Sequence, residues 1–322
     1  MPTIKLKPQP ATLIREGKEP FDLIIIGGGP AGLAAGIYAK RADIDAVLIE
    51  KALPGGMITT TELVENYPGF PEGISGIDLG QKLEDQARKY GLDIVFGKAI
   101  SLEAKNNIKE VRTEEHSYSS RTVIIATGSE PKKLGVPGEE TFIGKGISYC
   151  ATCDGPFYKD KNVAVIGGGN GALEEAIFLT KFAKLVTVIH RREDLRADKV
   201  LQEKAASNPK IFFRLNTLVE EIKGNDKVRS LTLTDTLSNK RSSINVDGVF
   251  IYAGQKPNTD LVKDLVKLDE NGHIVTDENL RTNINGIFAA GDVRKKALRQ
   301  VVTSVADGAI AITSVKEYLE GK

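Results

Sequence analysis

Two stretches of this 322-residue chain, "DLIIIGGGPAGLAAGIYAKR" (residues 22–41) and "NVAVIGGGNGALEEAIFLTKF" (residues 162–182), align without a gap. In each, a short β-branched apolar run leads into G-x-G-x-x-G/A and then into a helical pattern, the opening of a βαβ dinucleotide unit. Gly27 matches Gly167, Gly29 matches Gly169, and Gly32 matches Ala172. The first glycine permits the tight turn off the strand, the second lets backbone N–H groups approach a pyrophosphate, and the third position allows close helix packing. A helix N-terminus then faces the phosphates with its partial positive charge. Glycine-rich turns also serve packing alone, so one such motif is a weak signal; two in register predict two nucleotide sites.

The second strand of each unit separates the two nucleotides. "DAVLIEK" ends at Glu50, where an acid can accept hydrogen bonds from an adenosine ribose. The aligned position in the second unit is His190, which opens "HRREDLRAD". An acid that would repel a 2′-phosphate is replaced there by His190, Arg191 and Arg192, with Arg196 following, and guanidinium forks suit phosphate. The second site is therefore expected to favour NADPH over NADH; the bland alternative is a solvated basic helix start.

Two further apolar runs end in small residues. "TVIIATGSEP" (residues 122–131) leads to Ala126, Thr127 and Gly128, and "GIFAAGDV" (residues 286–293) leads to Gly291 and Asp292. Small residues at strand ends let backbone pass close to a ligand, and Asp292 is placed to bind a ribityl or ribose hydroxyl. Both runs lie outside the second unit, so the first nucleotide domain reads as a flavin domain split across the sequence.

The composition is that of a soluble globular chain, with 41% hydrophobic and 27% charged residues. A net charge of +1 provides no long-range field to gather nucleic acid or acidic lipid. The first 20 residues lack a continuous apolar core of the signal-peptide kind, and no segment approaches the ~18 apolar residues of a membrane span. A cytoplasmic protein is expected, with residues 1–20 an extension before the first strand.

Both cysteines of the chain, Cys150 and Cys153, fall in "SYCATCDGPFY" (residues 148–158), with Asp154 next to the second. Three readings compete. A structural zinc wants four ligands, and the chain offers only His116, His190 and His273 besides, none at a short paired spacing, so no metal is expected. A structural cross-link closing so small a loop would restrain little of the unfolded chain. In a redox reading, a C-x-x-C pair at a helix start has a lowered thiol pKa, and one thiolate can displace the other's mixed disulfide. Asp154 would then take and return a proton; otherwise it is a helix cap or turn aspartate.

"GGGPAG", "PGGMITTTELVENYPGF", "ATG", "CATCDG", "GGGNGA", "HRRxxxR" and "GDVRKKALRQVVTSVADG" stand in this order from residue 27 onward. In these motifs and their spacing the chain resembles the low-molecular-weight bacterial and archaeal thioredoxin reductases, class II pyridine nucleotide-disulfide oxidoreductases. The resemblance covers nearly everything after residue 20. It implies an α/β fold of two Rossmann-like domains of three-layer ββα type. An NADPH domain of residues 128–253 would be inserted in a discontinuous FAD domain of residues 1–127 and 254–322, and the protein would be a homodimer.

Position by position, the resemblance puts Gly27, Gly29, Pro30, Ala31 and Gly32 on the FAD pyrophosphate and Glu50 on its ribose. Gly56, Met57, Asn66, Ala126, Thr127, Gly128, Asp292, Arg299, Gln300 and Val301 complete the FAD set. Gly167, Gly168, Gly169, Asn170, Gly171, Ala172, His190, Arg191, Arg192 and Arg196 would line the NADPH site. Cys153 would face the flavin, and Cys150 would form the mixed disulfide with thioredoxin, the domains rotating between half-reactions about residues 128–132 and 253–257. Met57 stands where the family often has glutamine, Gly171 where it often has threonine, and Pro156 where phenylalanine is common; none removes a catalytic group. Two rival readings are a flavoenzyme fed by reduced ferredoxin, against which the intact "HRREDLR" argues, and a dithiol sensor without turnover, for which no partner-binding module is evident.

Overall fold

The structure is a computed structural model that describes residues 19–61, 63–105 and 107–321. All but the last two residues of the expected N-terminal extension therefore lie outside the described residues. The chain begins with β1 (Phe21–Ile26), α1 (Pro30–Arg41) and β2 (Ala46–Glu50), the predicted strand, helix and strand of the first unit. Next come α2 (Gly76–Lys89), β3 (Asp93–Phe96), β4 (Ala99–Lys105), β5 (Ile108–Thr113), β6 (Ser117–Ile125) and the short β7 (Ser129–Pro131). The inserted part holds β8 (Ile147–Ser148), α3 (Ala151–Asp154), β9 (Asn162–Ile166), α4 (Asn170–Leu179), β10 (Leu185–Ile189), α5 (Lys199–Ala206) and β11 (Ile211–Arg214). It continues through β12 (Thr217–Gly224), β13 (Val228–Asp235), β14 (Arg241–Asn245) and β15 (Gly248–Ile251). After β16 (Gln255–Pro257) the chain returns with β17 (Ile287–Ala289) and ends in α6 (Val301–Leu319).

These elements form two compact units, one containing residues up to 130 and from 256 on, the other Pro131–Gln255. In the first, a parallel sheet runs β3-β2-β1-β6, and β17 pairs in parallel with the last residues of β6. β5 and β4 extend the sheet antiparallel along the first residues of β6. Alternate residues of β1 go to opposite cores, as expected of a strand buried on both faces. Leu23 and Ile25 pack with Leu33, Ile37, Leu79 and Ile312 of α1, α2 and α6. Ile24 and Ile26 pack with Leu102 and Val111 of β4 and β5 and with Val262 and Ile274. Each such fully buried aliphatic side chain contributes roughly 1.5–3 kcal/mol of transfer free energy.

The second unit repeats this layering. Its parallel sheet is ordered β11-β10-β9-β15-β8. Val163 and Val165 of β9 pack on Leu173 and Leu179 of α4 and Ala205 of α5. Ala164 and Ile166 face Leu231 and Leu233 in the antiparallel ribbon β12-β13-β14. Both units are thus sheets with helices on one face and antiparallel strands on the other, the expected ββα class.

The chain passes between units at Glu130/Pro131 and again at Gln255/Lys256. The two passages run side by side, with β7 paired to β16. Asn258 donates its N–H to the Gly128 carbonyl at 3.0 Å on one side, and Lys132 donates to the Gly254 carbonyl at 2.9 Å on the other.

Candidate functional site

In the first unit the chain leaves β1 through Gly27, whose φ of +109° favours glycine, and a Cβ there would run into the Ala126 carbonyl. Gly29 caps α1, and Pro30 occupies its first turn, where a missing N–H costs nothing. The Glu50 carboxylate, buried at the end of β2, accepts the Gly28 N–H and the Ala52 N–H, so its orientation is set by the turn it closes. Gly56 packs against Gly29, and the neighbouring Gly55 N–H reaches the Gly28 carbonyl at 2.8 Å. Ala126 donates to the Ile26 carbonyl, and the Thr127 hydroxyl donates to the Asn258 carbonyl at 2.7 Å. Gly27, Gly29, Pro30, Ala31, Gly32, Glu50, Gly56, Ala126, Thr127 and Gly128 therefore gather at the carboxyl ends of neighbouring strands, where open α/β sheets take their ligands.

The chain returns to this edge after β17. Gly291, at φ +81°, donates its N–H to Asp307 at 2.9 Å, and the Ser304 hydroxyl donates to Asp292 at 3.2 Å. Lys296 bridges Asp292 and Asp307, at 3.3 and 3.2 Å. Asn66 donates to the Gln300 side chain at 3.2 Å, which joins "ENYPG" to the capping box that opens α6 at Val301. The Arg299 Nε is buried with no hydrogen-bond partner among the described residues. A flavin dinucleotide fits this set: the turn offers backbone N–H groups, Glu50 accepts from a sugar, and Arg299 holds an unused donor. Met57 lies on an exposed turn and brings no polar atom.

The second unit repeats the glycine turn with a different floor. The Gly168 carbonyl accepts N–H groups from Arg196, at 2.7 Å, and Ala197, while Asn170 and Asp198 exchange two 2.8 Å hydrogen bonds. His190, at the place of Glu50, lies under Gly168, and a Cβ on Gly168 would strike its ring. Around Gly169 and Gly171 a Cβ would meet nothing, so the mouth of the turn is open. Gly167 and Ala172 pack on each other as the turn enters α4. Arg191, Arg192 and Arg196 are exposed and make no ion pair with any described residue. Burial first, then the positive charge of Arg196, Arg192 and Arg191, holds His190 below its ordinary pKa, against a backbone hydrogen bond at Asp194. The imidazole stays neutral while three guanidinium groups remain available to an anion.

The cysteines are joined as a Cys150–Cys153 disulfide, with Cys150 capping the N-terminus of α3 and Cys153 within it. Among the described residues no cluster of His, Cys, Asp and Glu could hold a metal. The Ser148 hydroxyl accepts the Cys150 N–H at 3.0 Å and donates to its carbonyl at 3.2 Å. The Ala151 N–H goes to the Tyr252 hydroxyl at 2.7 Å. Tyr252 also packs its backbone beside Gly167, so one residue spans the nucleotide turn and the cysteine helix. Asp154 ends α3, and its charge adds to the burial that raises the phenol pKa of Tyr158.

Sequence reasoning passed over three residues at this place. Glu175 on α4 has a buried carboxylate oxygen without a partner among the described residues, and burial followed by the charge of Glu174 pushes its pKa up to about 7. Tyr252 follows β15 with no motif to mark it. Glu139 is 1% exposed, yet stands in an apparently ordinary "PGEE" loop. No sequence motif marks any of them, since burial singles out Glu175 and Glu139, and the Ala151 partner of Tyr252 is 101 residues away.

Residues 21–308 match the family pattern of pyridine nucleotide-disulphide oxidoreductases. The thioredoxin reductase of Bacillus subtilis is 46% identical over 301 residues, covering 93% of this chain and 95% of that protein. That of Peptoclostridium acidaminophilum is 44% identical over 306 residues, covering 93% and 97%. Among solved structures, the thioredoxin reductase from Streptococcus pyogenes superposes with a TM-score of 0.89 at 47% identity, covering 94% of this chain and 99% of that one. With both glycine turns and the cysteine pair inside the matched span, the chain belongs to the pyridine nucleotide-disulphide oxidoreductase family, in its low-molecular-weight thioredoxin reductase branch.

Proposed function

We propose that this protein is a flavoprotein disulfide reductase that takes hydride from NADPH and reduces thioredoxin. The observation that carries the reading is the closed Cys150–Cys153 pair at a helix start in the same unit as a nucleotide turn flanked by three exposed arginines. FAD, when bound, supplies the two-electron carrier between nicotinamide and disulfide. The unit from residue 256 on, with residues up to 130, is the one assigned to FAD, and Pro131–Gln255 the one assigned to NADPH.

Gly27, Gly29, Pro30, Ala31 and Gly32 hold the FAD pyrophosphate, Glu50 its ribose, and Asn66, Asp292, Arg299, Gln300 and Val301 the flavin end. Gly167–Ala172 receive the NADPH pyrophosphate, and Arg191, Arg192 and Arg196 the 2′-phosphate. Once the pair is reduced, the Cys150 thiolate attacks a partner disulfide, forming a mixed disulfide and releasing one partner thiolate. The Cys153 thiolate then attacks the Cys150 sulfur, re-forming the internal disulfide and releasing the second partner thiolate. Asp154 supplies and recovers the proton. The nicotinamide and the disulfide need the same flavin face, so the two half-reactions call for a turn between the units at the passages near residues 130 and 255. The protein works as a homodimer in the cytoplasm.

The test is NADPH-dependent reduction of oxidised thioredoxin by the purified flavoprotein, with NADH beside it. Wild type is expected to turn over with NADPH, and Cys150→Ser to lose turnover. A Cys150→Ser protein with full activity would falsify the assignment.

A further inference from the structure

Glu139 takes three hydrogen bonds on one buried carboxylate, two from backbone shortly before it and one from a side chain ten residues after it. The N–H groups of Leu134 and Gly135 reach it at 2.9 and 2.7 Å, and the Tyr149 hydroxyl reaches it at 2.9 Å. Leu134 and Gly135 lie just past the passage at Glu130/Pro131, and Tyr149 immediately precedes Cys150. No cation pairs with Glu139 among the described residues; Lys133, close by in sequence, pairs instead with Glu140 at 2.8 Å. Packing alone does not call for such a group, because a well-packed apolar residue in place of a buried charge is often neutral or stabilising. What a carboxylate adds is direction, since each donor must come to a defined oxygen.

From Tyr149 the constraint continues to the reactive cysteine. Ser148 clasps the Cys150 backbone from one side, and Tyr252 takes the next N–H from the other. Burial, followed by the hydrogen bond to Glu139, raises the Tyr149 phenol pKa, so the hydroxyl remains a donor throughout the working pH range.

We propose that Glu139 and Tyr149 form a positioning latch that ties the interunit passage to Cys150, so that a turn at the passage carries the dithiol with it in one geometry. The proposal rests on the disulfide reductase reading. Neither residue touches substrate or cofactor; both act through Cys150.

The test compares wild type and Tyr149→Phe holoenzymes in two assays, thioredoxin reduction and NADPH-dependent ferricyanide reduction, the second of which bypasses the dithiol. Loss of one positioning contact is expected to lower kcat for thioredoxin by about tenfold. KM for NADPH and the ferricyanide rate should stay at wild-type values, and Glu139→Gln should show the same split. Equal loss in both assays would reduce the pair to a structural role, and unchanged thioredoxin turnover in Tyr149→Phe would sink the latch. A wild type that fails to reduce thioredoxin would instead remove the functional reading on which the latch depends.

Discussion

At the ends of β2 and β10 one aligned position carries opposite chemistry. Glu50 turns its carboxylate onto the Gly28 N–H, whereas His190 lies neutral beneath Gly168. The difference is visible in the sequence because the residue type itself decides which sugar substituent is tolerated. The three arginines beside His190 carry a prediction. A charge-assisted hydrogen bond contributes about 1.5–3 kcal/mol, so Arg192→Ala should raise KM for NADPH by roughly tenfold or more. Steady-state kinetics should show KM for NADH nearly unchanged, and equal effects on both nucleotides would refute the 2′-phosphate role. Gly168→Ala places a methyl group against the His190 ring and should weaken binding of both nucleotides, as measured by fluorescence titration.

At the scale of elements, α4 combines a legible end with an illegible middle. Its N-terminus follows from the glycine motif, but nothing in "ALEEAIFL" marks Glu175 as the acid turned inward rather than Glu174. Only packing makes that choice: Glu174 is exposed, while an oxygen of Glu175 is buried without a partner among the described residues. Because its pKa is raised to about 7 from 4.5, the folded chain binds a proton that the unfolded chain has released between those values. Stability contributed by this group is therefore present below pH 4.5 and lost as pH rises through about 7. Glu175→Gln removes that loss. After allowance for partial solvent contact, thermal melts should show the variant about 1–2 kcal/mol more stable than wild type near pH 8, and almost no different near pH 4. A stabilisation independent of pH would refute the buried-acid account.

The strands β4, β5 and β12–β14 tell a similar story. Their residues carry no nucleotide motif, and what they cover is settled by which sheet face they meet. Lys109 on β5 is the sharpest case, 1% exposed with its ammonium 5.3 Å from the Tyr318 ring centroid. A lysine in an alternating strand reads as a solvent-facing residue until α6, far along the chain, brings an aromatic ring to it.

For the whole molecule, two units with separate cores imply that each answers to its own ligand. Anything bound only by the folded form stabilises it by about 2.7 kcal/mol at a hundredfold excess over Kd. NADP+ should therefore protect amides of Pro131–Gln255 from hydrogen exchange, and added FAD should protect those of the other unit. Uniform protection of both units by NADP+ alone would contradict this division.

The sequence by itself determined the parts whose physics is local. Two glycine turns demand particular backbone freedom, an acid or a basic cluster at a strand end selects a sugar, and two cysteines with two residues between them can close a ring. Family membership followed from the order of those motifs along the chain. The tertiary structure alone decided which polar groups are taken out of water and by whom they are met. Glu139 with Tyr149 and Glu175 in the middle of α4 draw their meaning from desolvation, and Tyr252 with Ala151 from a partner 101 residues away. Desolvation is a property of the packed core, and no window of sequence contains it.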